Sequence, residues 1–199
     1  MERDPQMPRL FVALQPTDPA RAALADLTDE IPGVRWVQPA QFHLTLRFIG
    51  EVTAEGTEKI IAALSQVRVQ PFFLELTGTG GFPPRGPAAV LWAGIGHGHP
   101  LLHQLRQQVD DRLLTTGIPF ELRAFVPHFT LGRCRDAAPV AVSHWLKRHR
   151  DFTGPTWPVN QFHLMSSDAT KPGQAYETLH SFPLGASPAG ITQGQTAPR

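Results

Sequence analysis

The pattern of this 199-residue chain predicts an α+β fold of two similar lobes, with antiparallel sheets lining a central cleft and helices packed outside. Three observations lead there. Short, partly alternating apolar strands are interleaved with amphipathic helices, which favours antiparallel sheets with one wet face over a doubly wound parallel sheet. A succession of helix, strand, helix and strand recurs in both halves. Each half also carries a strand with the same polar signature, His43-Leu44-Thr45 in the first and His128-Phe129-Thr130 in the second.

The elements follow in order, about seven strands and four helices. Arg9 to Leu14 is a short buried strand. Asp18 caps a helix, with Pro19 at its first position, that runs to about Glu30 and turns Leu24 and Leu27 inward. Ile31-Pro32-Gly33 stops it, and Val34 to Val37 is extended. Pro39-Ala40 turns into a strand over 41–49, closed by Gly50. A second helix spans about 53–67 on the stripe Ile60, Leu64 and Val67. Pro71 to Thr79 reads as a strand, Gly78 to Gly86 as a loop, and Ala88 to Ile95 as a strand. The third helix covers about 100–116, with Leu102, Leu105, Val109 and Leu113 inward and Gly117 closing it. A strand over 125–133, a helix over 140–148 and strands over 159–166 and 175–183 complete the set.

Residues 1–7 form a flexible start, 8–184 the bilobal domain, and 185–199 a tail rich in Ala, Gly, Pro, Gln, Ser and Thr that is expected to be disordered. A net charge of +1 and a pI near 8.1 do not make the strong basic stripe of a general nucleic-acid binder, yet leave room for a small anion held by local arginines. The single cysteine, Cys134, excludes an internal disulfide and points to a reducing, cytoplasmic setting. No secretory signal or membrane-spanning run is visible.

In an extended strand, side chains alternate between faces. His43 and Thr45 therefore share one face, and Leu44 and Leu46 the other. His128 and Thr130 likewise oppose Phe129 and Leu131. Two imidazoles and two hydroxyls on facing strands suit phosphate chemistry. One imidazole takes a proton and the other gives one, and the hydroxyls donate to the phosphate oxygens. Such a pair requires no metal or other cofactor. Arg47, at i+4 from His43, has the parity of the polar face and a guanidinium suited to phosphate. Arg133, at i+5 from His128, has the wrong parity unless Gly132 kinks or ends the strand.

The motifs Phe42-His43-Leu44-Thr45-Leu46-Arg47-Phe48-Ile49-Gly50 and Pro127-His128-Phe129-Thr130-Leu131-Gly132-Arg133 resemble those of the two-histidine phosphoesterases. The closer resemblance is to the RNA 2′,3′-cyclic phosphodiesterases, also called 2′-5′ RNA ligases. It extends to Arg9–Leu14, Pro32–Val37, Val90-Leu91-Trp92 and Tyr176–Leu184 and covers roughly residues 8 to 184. It implies a bilobal enzyme that hydrolyses RNA 2′,3′-cyclic phosphate ends to 2′-phosphates without metal, with reversible 2′-5′ ligation as a side activity. It implies His43 and His128 as the catalytic pair, Thr45 and Thr130 as phosphate ligands, and Arg133 as a further one. His128 is expected to activate water and His43 to protonate the leaving 3′ oxygen. A role for Ser166-Ser167 is implied without being specified.

The expected partners are RNA ends or small nucleotides, with no membrane, and the chain is expected to be a monomer. Phe48 and Phe82 are the candidates for stacking on a nucleobase. The rival readings are a phosphodiesterase for another small nucleotide, such as a 2′-5′ oligonucleotide or an ADP-ribose cyclic phosphate, and a non-catalytic RNA-binding domain. His163, in Gln161-Phe162-His163-Leu164, lacks the following Thr and reads as structural. His97, His99 and His103 read as a solvated loop entering a helix, because no Cys or carboxylate completes a metal set.

Overall fold

A computed structural model describes residues 7–96, 99–167 and 176–185. The expected tail beyond Gly185, the start up to residue 6 and His97 lie outside these residues. Ten strands and four α-helices alternate along the described chain. β1 (Arg9–Leu14) leads into α1 (Asp18–Ala25), β2 (Val34–Trp36), β3 (Leu44–Glu51) and α2 (Ala54–Leu64). β4 (Phe72–Thr77), β5 (Thr79–Phe82), β6 (Val90–Gly94) and α3 (Pro100–Leu114) follow. β7 (His128–Cys134), α4 (Pro139–Arg148), β8 (Thr153–Val159), β9 (Gln161–Ser167) and β10 (Tyr176–Pro183) complete the described elements.

Eight strands form one antiparallel sheet. Its order is β10-β9-β1-β3-β7-β6-β5, with β2 added to β7, and β4 and β8 make a separate two-stranded sheet. The first lobe is the β10-β9-β1-β3 half and the second is the half around β7, β6 and β5. The halves join at the single pair Leu44↔Phe129. From that seam β3 and β7 diverge, and the cleft opens between them. The two motif strands are thus neighbours at the seam and diverge from it, rather than lying on separate sheets.

The core follows the apolar alternation. Leu10, Val12 and Leu14 of β1 pack with Leu44 and Leu46 of β3, Phe129 and Leu131 of β7, and the inward stripes of α2 and α3. Phe11, Ala13 and Met165 face the other way and form a small cluster against Tyr176. That second cluster forms part of the floor of the cleft.

Several elements differ from the sequence expectation. α1 ends at Ala25, not near Glu30, and its cap residue is Thr17, with Asp18 already helical. Leu27 is still buried, beyond the helix, where its carbonyl accepts from Trp145 Nε1 at 2.8 Å. The glycine loop after Gly78 begins as β5. Its Gly80 lies under the Trp92 indole, where any Cβ would come within 2.1 Å of the ring, so glycine there makes room for a neighbour rather than a turn. β8 has the sequence Thr-Gly-Pro-Thr-Trp-Pro-Val, and its prolines mask it as a strand. It pairs only with β4, so one edge needs no N–H donors. No helix among the described residues is long and apolar enough to cross a membrane.

Candidate active site

A cavity of about 440 Å³ opens where β3 and β7 diverge, and His43, Thr45, His128, Thr130 and Arg133 all line it. The seam explains why. With Leu44 opposite Phe129 on the core face, the antiparallel register carried one residue either way sets His43 against Thr130 and Thr45 against His128. All four side chains then share the opposite face. The two motifs meet head to tail, related by an approximate two-fold axis through the seam.

Each imidazole is held in the same way. His43 Nδ1 lies 2.8 Å from the Gln41 carbonyl, and His128 Nδ1 lies 2.6 Å from the Val126 carbonyl. A carbonyl can only accept, so Nδ1 carries the hydrogen in both rings. That leaves each Nε2 as the atom able to take or give a proton in the cavity. Aromatic rings flank both. His43 sits between Phe11 and Tyr176, with ring centres 5.0 and 4.7 Å away. His128 sits beside Phe82 at 5.0 Å and Trp92 at 6.1 Å. These rings limit each imidazole's rotation and strip it of water.

Burial accordingly pushes both histidine pKa values below the ordinary imidazole range. At His43 the Gln41 carbonyl opposes the shift, while positive charge on His128 and on Arg133 adds to it. At His128 the Val126 carbonyl again opposes burial.

Arg133 reaches this face by a route that simple alternation misses. In the β6–β7 ladder Thr130 pairs with Trp92 and Gly132 with Leu91, so Leu131 is an extra residue, a β-bulge. The bulge shifts the parity by one and returns Arg133 to the side of His128 and Thr130. Gly132 does not end the strand, which continues to Cys134. Gly132 is small for a separate reason: a Cβ there would come within 2.9 Å of Trp36 and Val34.

The same device corrects the expectation for Arg47. In the β1–β3 ladder Val12 pairs with Arg47 and Ala13 with Thr45, so Leu46 is the extra residue. Arg47 then lies on the face of Val12, not that of Thr45, and only 6% of it is exposed. Its guanidinium is committed elsewhere. Nε lies 3.0 Å from Asp110 Oδ1 on α3, Nη1 lies 3.4 Å from Glu121 Oε2, and Nη2 donates to the Pro119 carbonyl. Arg106 pairs with Asp110 and stands 5.7 Å over the Phe125 ring. Arg123 holds Glu121 through two guanidinium hydrogen bonds and its backbone N–H, and together with Arg47 lowers that carboxyl's pKa to about 2. Arg47 still borders the cavity, but as the anchor of the 119–125 segment that walls it.

The bulge moves Phe48 the opposite way. It pairs with Phe11, faces the cavity and is 59% exposed. Phe48 stands in the first motif where Arg133 stands in the second. Phe82 also lines the cavity, across from it in the other lobe. Sequence reasoning does not single out Phe11, Tyr176, Arg123 or Phe125 as site residues. Phe11 and Tyr176 lie far from the motifs in sequence, and strand pairing alone brings them to His43.

The remaining candidates fall outside the cavity. His163 is buried on β9, with Nδ1 2.9 Å from Ser181 Oγ. His99 accepts from the Leu101 N–H at the start of α3 and stacks on Phe72, and His103 packs against Phe125. No cluster of three or more His, Cys, Asp or Glu suited to a metal ion occurs among the described residues. Ser166 is buried on β9 opposite Leu10.

Comparison with known proteins finds a family model, LigT-like phosphoesterase, matching residues 14–92 and 97–176. An RNA 2′,3′-cyclic phosphodiesterase of Aeropyrum pernix is 34% identical over 169 residues, covering 82% of this chain and 96% of the relative. One of Thermus thermophilus is 33% identical over 186 residues, covering 88% and 90%. Among solved structures, TT0787 of Thermus thermophilus superposes with a TM-score of 0.73 at 30% identity, covering 89% of this chain and 98% of that one. LigT of E. coli complexed with 3′-AMP gives 0.72 at 25% identity, covering 91% and 100%.

Proposed function

The chain belongs to the LigT-like phosphoesterases, and on that premise we propose that it hydrolyses RNA 2′,3′-cyclic phosphate ends to 2′-phosphates, with His43 and His128 as the acid–base pair. The observation that carries this is the matched posing of the two imidazoles. Each donates Nδ1–H to a backbone carbonyl two residues upstream and keeps Nε2 for the same cavity.

The cyclic phosphate lies between them. His128 Nε2 takes a proton from water as the water oxygen bonds to phosphorus. The bond from phosphorus to the 3′ oxygen breaks, and that oxygen takes the proton from His43 Nε2. The product is a 2′-phosphate beside a free 3′ hydroxyl, and proton exchange with solvent resets the pair. Thr45 and Thr130 donate to the non-bridging oxygens, where charge accumulates. Arg133 neutralises that charge. Phe48 and Phe82 take the terminal base on either side. Both proton transfers are supplied by the histidines, so no step is assigned to a metal. His43 must start protonated, against its burial and the charges of His128 and Arg133. The phosphate anion reverses that balance, so the acid is armed when substrate binds.

The test uses a short RNA ending in a 2′,3′-cyclic phosphate, with EDTA present. The wild type should form the 2′-phosphate. His43→Ala and His128→Ala should each be slower by roughly 10²-fold or more. Lack of turnover by the wild type would refute the reading. A rate lost with EDTA and restored by a divalent ion would refute its metal-free form.

A further inference from the structure

Beside the first cavity lies a second one, of about 480 Å³, lined by Arg35, Arg133, Arg135, Trp36, Gln38 and Tyr176 among others. It shares Val37, Gln41, Arg133 and Tyr176 with the first. The two spaces are continuous around Arg133.

The arginines are brought together by register. Arg35 pairs directly with Arg133 across the β2–β7 ladder, and Arg135 follows Arg133 at i+2, beyond the end of β7. Two like charges directly opposite each other in a sheet are destabilising. Among the described residues no carboxylate lines the space. Among the described residues, none of the three guanidinium groups is paired with an acid. Among the described residues Arg9, Arg21, Arg47, Arg106, Arg123 and Arg148 find acids, while Arg68, Arg85, Arg112 and Arg150 also show no ion pair; what sets Arg35, Arg133 and Arg135 apart is that all three line one cavity. In a chain of net charge +1, three uncompensated arginines in a row leading out of the first cavity are a local arrangement that composition does not require.

We infer that this groove is a second phosphate subsite, in which Arg35 and Arg135 hold the phosphodiester on the 5′ side of the cyclised nucleotide while Arg133 serves the reacting phosphate. The inference rests on the proposed function and specifies its substrate: an RNA strand rather than a lone nucleotide. The geometry favours this occupant. An RNA with a cyclic 3′ end leaves the site only in the 5′ direction, so its next charge is the 5′ phosphate of the terminal nucleotide. Two residues along an extended chain span about 7 Å, the scale of one nucleotide of extended backbone. The forked donors of Arg35 and Arg135 suit the two free oxygens of a phosphodiester. Both side chains are exposed, so the contact is electrostatic and salt-sensitive.

The test compares two substrates with the same terminal nucleoside, a nucleoside 2′,3′-cyclic phosphate and the dinucleotide that carries the same cyclic end. The wild type should favour the dinucleotide in kcat/KM. In Arg35→Gln and Arg135→Gln that ratio should fall about tenfold, mainly through KM, as expected for losing one charge-assisted contact. Both positions are exposed, and an unchanged melting temperature excludes a folding defect. A wild type without preference, or variants with an unchanged ratio, would overturn the inference. Calorimetry with the 2′-phosphate products separates the two readings. If the wild type turns over neither substrate, the proposed function fails. Tighter binding of the dinucleotide product, lost in the variants, would still sustain the subsite, and equal binding of both products would remove it.

Discussion

Arg47 is the residue for which parity and structure give opposite roles, and Arg47→Met separates them. Methionine keeps the stem in the core and removes the charge. In the structure that change breaks the contact with Asp110 at 3.0 Å and the hydrogen bond to the Pro119 carbonyl. Asp110 is largely buried, with 14% of its side chain exposed, and would keep only Arg106. Breaking a buried ion pair by removing one partner costs about 3–5 kcal/mol. Because Asp110 retains a cation, the low end applies, about 3 kcal/mol. For a chain of this size that lowers Tm by about 6–12 °C. The Glu121 contact, at 3.4 Å to a partly exposed carboxylate that Arg123 also holds, adds little to that figure. Chemical denaturation gives the stability change, and a cycle with Asp110→Asn should show the two positions coupled by about 1 kcal/mol or more. The segment 119–125 should also become more sensitive to proteolysis, since its anchor is gone. At a temperature where the variant is folded, kcat should stay within about tenfold of wild type, because no contact to phosphate is lost. The reasoning fails if stability is unchanged within about 0.5 kcal/mol while kcat/KM drops by a hundredfold or more. That outcome would make Arg47 a phosphate ligand after all.

Three further outcomes are expected. The His43 pKa, read by NMR titration, should lie below the ordinary imidazole range in the free protein and rise when a nucleoside 2′-phosphate is added; no response would break the link between substrate and acid. Both motif histidines have depressed pKa values in the fold, so below about pH 6.5 the unfolded chain binds more protons and stability falls with acidification through the folded values. Denaturation midpoints between about pH 7.5 and about pH 5.5 should therefore show a shallower slope in His43→Gln than in wild type, and equal slopes would contradict the assignment. Phe48→Ala should raise KM by about tenfold or more, the cost of one lost base stack, with little change in kcat. Equal effects on kcat and KM would place Phe48 elsewhere in the mechanism.

The polar face of the site is legible in the sequence because alternation is local. Two His-x-Thr stretches inside apolar strands are enough to put four polar side chains on one surface, and the seam at Leu44 and Phe129 then makes that surface common to both. What lies beyond the motifs is not legible, for one physical reason that acts twice. Each motif strand carries an extra residue right after its His-x-Thr, at Leu46 and at Leu131. A bulge leaves no mark in composition, since leucine fits both a regular strand and a bulged one. Yet it inverts the face of the residues that follow, in β3 as far as a second bulge at Ile49. Counting by twos therefore puts Arg47 on the cleft face and Arg133 on the core face, whereas in the structure Arg133 shares the cleft face and Arg47 the core face, with its guanidinium committed to Asp110 and Glu121. Resemblance repairs Arg133, whose motif position is specific. It leaves Arg47 in place, because an arginine beside a phosphate site reads as plausible. The repeated bulge also explains why the two halves of the site are not equivalent. At matching positions one strand presents Phe48 and the other Arg133, so a cleft built from similar halves offers a ring for a base on one side and a charge for a phosphate on the other.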